Sequence, residues 1–172
     1  RVRSDFMLVH ELLSANLGRG HYSYAHFRNA PAVWTDASKQ ARYSGGGWVS
    51  ACGAYDWFKY GSKAARQPID FLEGDTVVAC VERLAHKWRG CVVRFFIDNA
   101  SFQASGAKGR SKAHRLNDLL RELLGLMIKF GFVITWTWIA TEENVDADHL
   151  SRGRVDDFCL LYTSPSPRDE VL

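Results

Sequence analysis

What the chain lacks narrows its chemistry first. Its four cysteines, Cys52, Cys80, Cys91 and Cys159, contain no Cys-x-x-Cys pair, and no His-x-His accompanies them. The usual zinc frameworks are therefore not expected, and the thiols read as reduced groups of an intracellular protein, cytoplasmic or nuclear. No apolar run approaches the ~18 residues that a membrane span needs, so no membrane partner is expected. No signal peptide is visible, and a chain that begins at Arg1 reads as cut from something longer. Strong charge of one sign is missing as well. A net charge of +3 over 172 residues permits a nucleic-acid partner without arguing for one, so local clustering must decide. There are no internal repeats.

What is present is an ordinary globular balance, 47% hydrophobic and 24% charged, in a length that suits one domain with a proper core. Residues 5–17 carry a helical stripe of Phe6, Val9, Leu12, Leu13 and Leu17, ended by Gly18 and Gly20. A connector with Tyr22, Tyr24 and Phe27 follows. Strands are expected near 32–38, 46–53 and 55–60, with Ser44-Gly45-Gly46-Gly47 as a turn between the first two and Gly53-Ala54 between the last two. A helix follows Pro68 and stops by Gly90. Cys91 to Ile97 reads as a buried strand ending at Asp98-Asn99. Residues 101–111 read as a polar loop, Lys112 to Phe130 as an amphipathic helix, and Phe132 to Ala140 as an alternating strand with Trp136 and Trp138 toward the core. A last helix opens around Val145. Residues 159–172, with Thr163-Ser164-Pro165-Ser166-Pro167, cannot continue it and read as a disordered tail that need not be native. The order implies an α/β fold, a mixed sheet with helices packed on it.

Asp36 sits in mid-strand, where a half-buried carboxylate must find a partner, a proton or a metal. Glu73, Asp98 and Asp148 each sit at an element start or end from which they could converge on it. Such a set suits hard divalent cations, since Mg²⁺ prefers carboxylate and water oxygens and shares its shell with phosphate. Two ions roughly 3.5–4 Å apart can activate water and stabilise a leaving oxygen.

TDAS at 35–38, FLEGDTVVACVERL at 71–84, FFIDN at 95–99 and EENVDADHLSR at 142–152 together resemble a type 1 ribonuclease H domain. The last motif is similar to the form found in reverse transcriptases of gypsy-class and tyrosine-recombinase (DIRS-like) retroelements. The resemblance implies a ribonuclease H-like fold with a five-stranded mixed sheet and helices on both faces, over residues 32–158. Residues 1–31 would be a helix and connector from a covalently linked polymerase region. It also implies an endonuclease that hydrolyses the RNA strand of RNA/DNA hybrids with two Mg²⁺ ions, for which Mn²⁺ can substitute. Asp36, Glu73, Asp98 and Asp148 would be both catalytic residues and metal ligands. Asp75 and Asp146, two residues from matched acids, are expected on solvated faces. Cellular members carry a His-bearing loop before the last Asp. Here 139–144 contains no His, which implies slower turnover.

Lys108, Arg110, Lys112 and Arg115, with His114, form a basic cluster that would meet phosphates. Ser38, Asn99 and Ser101 lie beside the acids and could read 2′-hydroxyls, the group that separates RNA from DNA. Two other readings stay open: a non-catalytic tether that binds hybrid or polymerase, and a DNA-acting transposase or integrase of the same fold.

Overall fold

The computed structural model describes residues 2–14 and 30–163. The expected connector aromatics Tyr22, Tyr24 and Phe27, and the tail from 164 onward, lie outside the described residues. The elements run α1 (Val2–Ser14), β1 (Ala32–Lys39), β2 (Ser44–Ser50), β3 (Tyr55–Lys59), α2 (Ile69–Leu84), β4 (Val92–Ile97), α3 (Ala100–Lys108), α4 (His114–Phe130), β5 (Val133–Trp138), α5 (Val145–Ser151) and α6 (Val155–Thr163). The sheet order is β3-β2-β1-β4-β5. β1, β2 and β3 form an antiparallel meander, and β4 and β5 run parallel to β1. This is the five-stranded mixed sheet that the sequence implied.

Strand alternation divides the molecule into two layers. Val33, Phe95, Ile97 and Ile134 point into one continuous core with Val77 and Val81 of α2, Phe102 of α3 and Leu116, Leu120 and Leu123 of α4. On the other face α5 lies across β1 and β2, and α6 follows it. The apolar contact there is small: Val49, Leu150 and Phe158, with Trp34 against them. Among the described residues no helix is long and apolar enough to cross a membrane, and all four cysteines are free thiols.

Several expectations need correction. Gly45, Gly46 and Gly47 do not form the turn; they are buried residues of β2, and the reversal lies at 40–43, where Gln40 N–H donates to Tyr43 O at 2.7 Å. Gly45 and Gly47 are there because α5 rides directly on the strand, whereas a Cβ on Gly46 would meet Thr76 of α2 and the Phe58 ring. A Cβ on Gly47 would stand 2.5 Å from both Leu150 Cβ and Ser151 N, closer than real side chains come. Residues 101–111 are not a loop throughout. They hold α3, which Asn99 caps by accepting from Phe102 N–H at 3.0 Å and which ends at Gly109 in the left-handed region. Its polar surface hid one buried anchor, Phe102, which meets Trp136 edge-on.

Trp138 is not core: it is 54% exposed, and its indole Nε1–H donates to Asp98 O at 3.0 Å. Asp75 and Asp146 are half-buried rather than solvated. Asp75 sits beside the buried Tyr60 hydroxyl, and burial raises its pKa. Helix α6 runs on to Thr163, past the boundary expected at 158, with Phe158 buried as its anchor.

Candidate active site

β1 brings Asp36 to the middle of the sheet opposite Gly47, with the side chain on the α5 face. Because position 47 has no side chain, α5 comes close enough for Ser151 to reach that carboxylate. Ser151 Oγ donates a short hydrogen bond to Asp36 Oδ2, and its carbonyl accepts from Ser38 Oγ at 2.7 Å. One residue past the end of the adjacent parallel strand β4 lies Asp98. From the opposite layer, the first turns of α2 deliver Glu73, which accepts the Ala37 backbone N–H.

The three acids meet. One carboxylate oxygen from each of Asp36, Glu73 and Asp98 lies within 4.8 Å of the others. Asp36 is 6% exposed and Glu73 3%. Glu73 Oε2 is buried with no hydrogen-bond partner among the described residues. Asp148, on α5, lines the same cleft together with Ser38, Lys39, Asn99, Thr141 and Arg152. Its Oδ1 is held at 2.6 Å by Arg152 Nε–H, one helical turn on.

Burial and mutual repulsion set the electrostatics. Desolvation pushes the Asp36 pKa up to about 6; the Ser151 hydroxyl opposes this, Asp98 and Asp148 add to it, and Arg152 works against them. Glu73 is raised well above the ordinary carboxylate range, first by burial and then by Asp36 and Asp98. Unpaired like charges in so dry a place are costly, and an orphaned carboxylate oxygen is one lone-pair site waiting for a partner. An all-oxygen donor set with these properties fits a hard divalent cation.

The other expected contacts are distributed as follows. Ser38 is buried and its hydroxyl is committed to α5. Asn99 borders the cleft while capping α3. Ser101 is exposed on the first turn of α3, and its carbonyl accepts from Ser105 Oγ at 2.9 Å. Lys108 ends α3, and Arg110 and Lys112 stand exposed in the loop to α4. Arg115, in the first turn of α4, donates a short hydrogen bond to Gln67 Oε1, and Lys39 Nζ donates to Gln67 O at 2.8 Å. His149 Nδ1 is 3.9 Å from Asp157, away from the cluster.

Sequence reasoning missed Ser151 and Arg152. Their spacing from Asp148, three and four residues along a short helix, was the available signal.

No protein-family model matches the chain, and none of the curated proteins does. Solved structures do. The N-terminal ribonuclease H domain of a Mycobacterium tuberculosis protein, solved as a maltose-binding-protein fusion, superposes with a TM-score of 0.58 at 17% identity, covering 78% of this chain and 99% of that one. The chain has a ribonuclease H-like fold. Ribonuclease H1 of the halophilic archaeon Halobacterium salinarum NRC-1 gives a TM-score of 0.56 at 17% identity, over 75% and 99% of the two chains. LC11-RNase H1 in complex with an RNA/DNA hybrid gives 0.59 at 16%, over 74% and 97%; the LC11 enzyme was isolated from compost by a metagenomic approach.

Proposed function

We propose that this ribonuclease H-like domain hydrolyses the RNA strand of RNA/DNA hybrids, as part of a retroelement reverse transcriptase. The observation that carries the reading is the convergence within 4.8 Å of Asp36 in mid-strand, Asp98 just past the end of the parallel neighbour β4, and Glu73 on the facing helix. A solved neighbour of the same fold binds an RNA/DNA hybrid. The retroelement setting rests on the likeness of EENVDADHLSR to those reverse transcriptases, the linked polymerase region on the likeness of residues 1–31 to their connector, and action in cytoplasm or nucleus on the cysteine pattern.

Asp36, Glu73, Asp98 and Asp148 would hold the divalent cations. Bound there, a Mg²⁺ pair supplies an activated water and charge neutralisation at the leaving oxygen. The chain's own residues do the rest. Ser151 fixes the rotamer of Asp36 from the side away from the cleft. The Ala37 N–H holds one oxygen of Glu73 and leaves the other open. Loss of the protons that burial favours on Asp36 and Glu73 accompanies cation binding, so affinity rises with pH. Lys39, Lys108, Arg110 and Lys112 supply positive charge at the cleft and on α3 and the loop beyond it.

The test is cleavage of end-labelled hybrid, duplex DNA and duplex RNA, with and without Mg²⁺. Mg²⁺-dependent cutting confined to the RNA strand of the hybrid is expected. Hybrid binding without cutting in Mg²⁺ or Mn²⁺ would make the domain a tether, and cutting of duplex DNA would make it a transposase-like member. Replacing Lys108, Arg110 and Lys112 by Ala should lower the log–log salt slope of hybrid binding by about 0.9 for each lost phosphate contact. An unchanged slope would assign them to a plain solvated surface.

A further inference from the structure

The acids in the cleft are arranged as three and one. Asp36, Glu73 and Asp98 share a 4.8 Å cluster to which Asp148 does not contribute. Asp148 is instead held by Arg152, Nε to Oδ1 at 2.6 Å, and both side chains border the cleft. Arg152 stands at the C-terminal end of α5, and its charge is felt at Asp36, where it opposes the effect of burial.

We propose that Arg152 is a positioning residue that keeps Asp148 out of the cluster in the free protein. The cleft then takes one divalent cation until a substrate phosphate draws the guanidinium away. The inference rests on the reading of this cleft as a cation-dependent nuclease site.

The first cation has a built place: three carboxylates, one with a buried oxygen that no described residue satisfies. A second would have to compete with a cation already seated on Asp148. It would also meet repulsion from the guanidinium itself. The ion pair is partly exposed, with 34% of the Arg152 side chain and 21% of Asp148 open to solvent, so it is weak enough to exchange. A guanidinium suits a phosphate at least as well as a carboxylate, because its planar fork matches two oxygens of either. When nucleic acid enters, Arg152 can leave Asp148 for the backbone, and Asp148 becomes available as a ligand. By reciprocity, the second cation and the nucleic acid each strengthen the binding of the other.

The experiment counts Mn²⁺ on the full chain, free of nucleic acid, by electron paramagnetic resonance titration at fixed ionic strength. Wild type is expected to bind one tight Mn²⁺. Arg152→Ala is expected to bind two, the second tightened by at least about tenfold, and Arg152→Gln, which keeps more of the stem, should do the same. Adding Asp148→Asn to either variant should remove the gained site. Two ions on free wild type, one ion on both folded variants, or a gained site that survives Asp148→Asn would each overturn the proposal. A protein that never cuts hybrid, but whose ion counts in wild type and variants are as expected, would sink the nuclease reading and leave the hold of Arg152 on Asp148 standing. A protein that cuts hybrid yet binds two ions when free would do the reverse.

Discussion

The two faces of the sheet differ in how much water they exclude and in what they hold. Toward α2, α3 and α4, Val33, Phe95 and Ile97 are fully buried in one apolar core. Toward α5, the same strand β1 presents Trp34, Asp36 and Ser38 to a layer with three buried apolar residues and a network of hydroxyls. The thick layer fixes the backbone, and the thin one can then hold charge. A carboxylate as buried as Asp36 is tolerable because its strand is anchored from behind and α5 supplies a donor. Glu73 links the layers: α2 belongs to the thick core, yet its early turns place this acid among those of the thin side.

The sharpest way to separate the faces is to damage the thick one. Phe95 is fully buried between Trp88 and Trp136. Phe95→Ala should cost roughly 3–5 kcal/mol, read as a lower urea midpoint. The fraction that stays folded should keep its cation binding. A cost under about 1 kcal/mol would mean that this layer does not anchor β4.

The next effect belongs to the acids. The folded pKa of Asp36 is about 6 against 3.8 in an exposed chain, so the folded state favours the proton. The stability this provides is complete below about pH 4 and is lost as pH rises through about 6. The difference is of order 3 kcal/mol for Asp36 alone, and Glu73 shifts in the same direction. In chelator, melting temperature should therefore fall between pH 5 and pH 8, and Mg²⁺ should restore it at pH 8. A protein that melts higher at pH 8 in chelator would contradict the burial argument.

A smaller change targets the contact between α5 and β2. Gly47→Ala forces a methyl group against Leu150 and the Ser151 amide, an overpacking cost of about 1–3 kcal/mol. Cleavage should fall by more than this stability loss explains, because Ser151 and Asp148 ride on the displaced helix. If activity follows the folded fraction alone, α5 is a cover and not a support for the site.

Much of this was legible in the sequence, for physical reasons that can be named. An acid inside a β-branched strand, and another closing a buried strand, are conspicuous because burial makes them costly, and both Asp36 and Asp98 lie in the cluster. The helix between β3 and β4 accounts for a strand that returns parallel, as a mixed sheet requires, but not for its place beside β1, two strands away from β3. The Gly45–Gly47 run misled because a glycine that permits close approach looks the same in sequence as one that permits a turn. Helix α3 was hidden by its polar surface, with Phe102 as its single fully buried anchor. Trp138 followed the strand alternation but lay at the strand's exposed end, where there was no core left to enter.

The most direct test of the central claim uses Asp98→Asn. The substitution keeps the shape and removes one negative charge from the three-acid cluster. Single-turnover cleavage of a labelled hybrid in Mg²⁺ should drop by at least ~10²-fold. Equilibrium binding of the same hybrid in Ca²⁺ should be kept or strengthened, since the field facing the phosphates is less repulsive. Equal cutting by wild type and Asp98→Asn would show that the cluster is not where the chemistry happens.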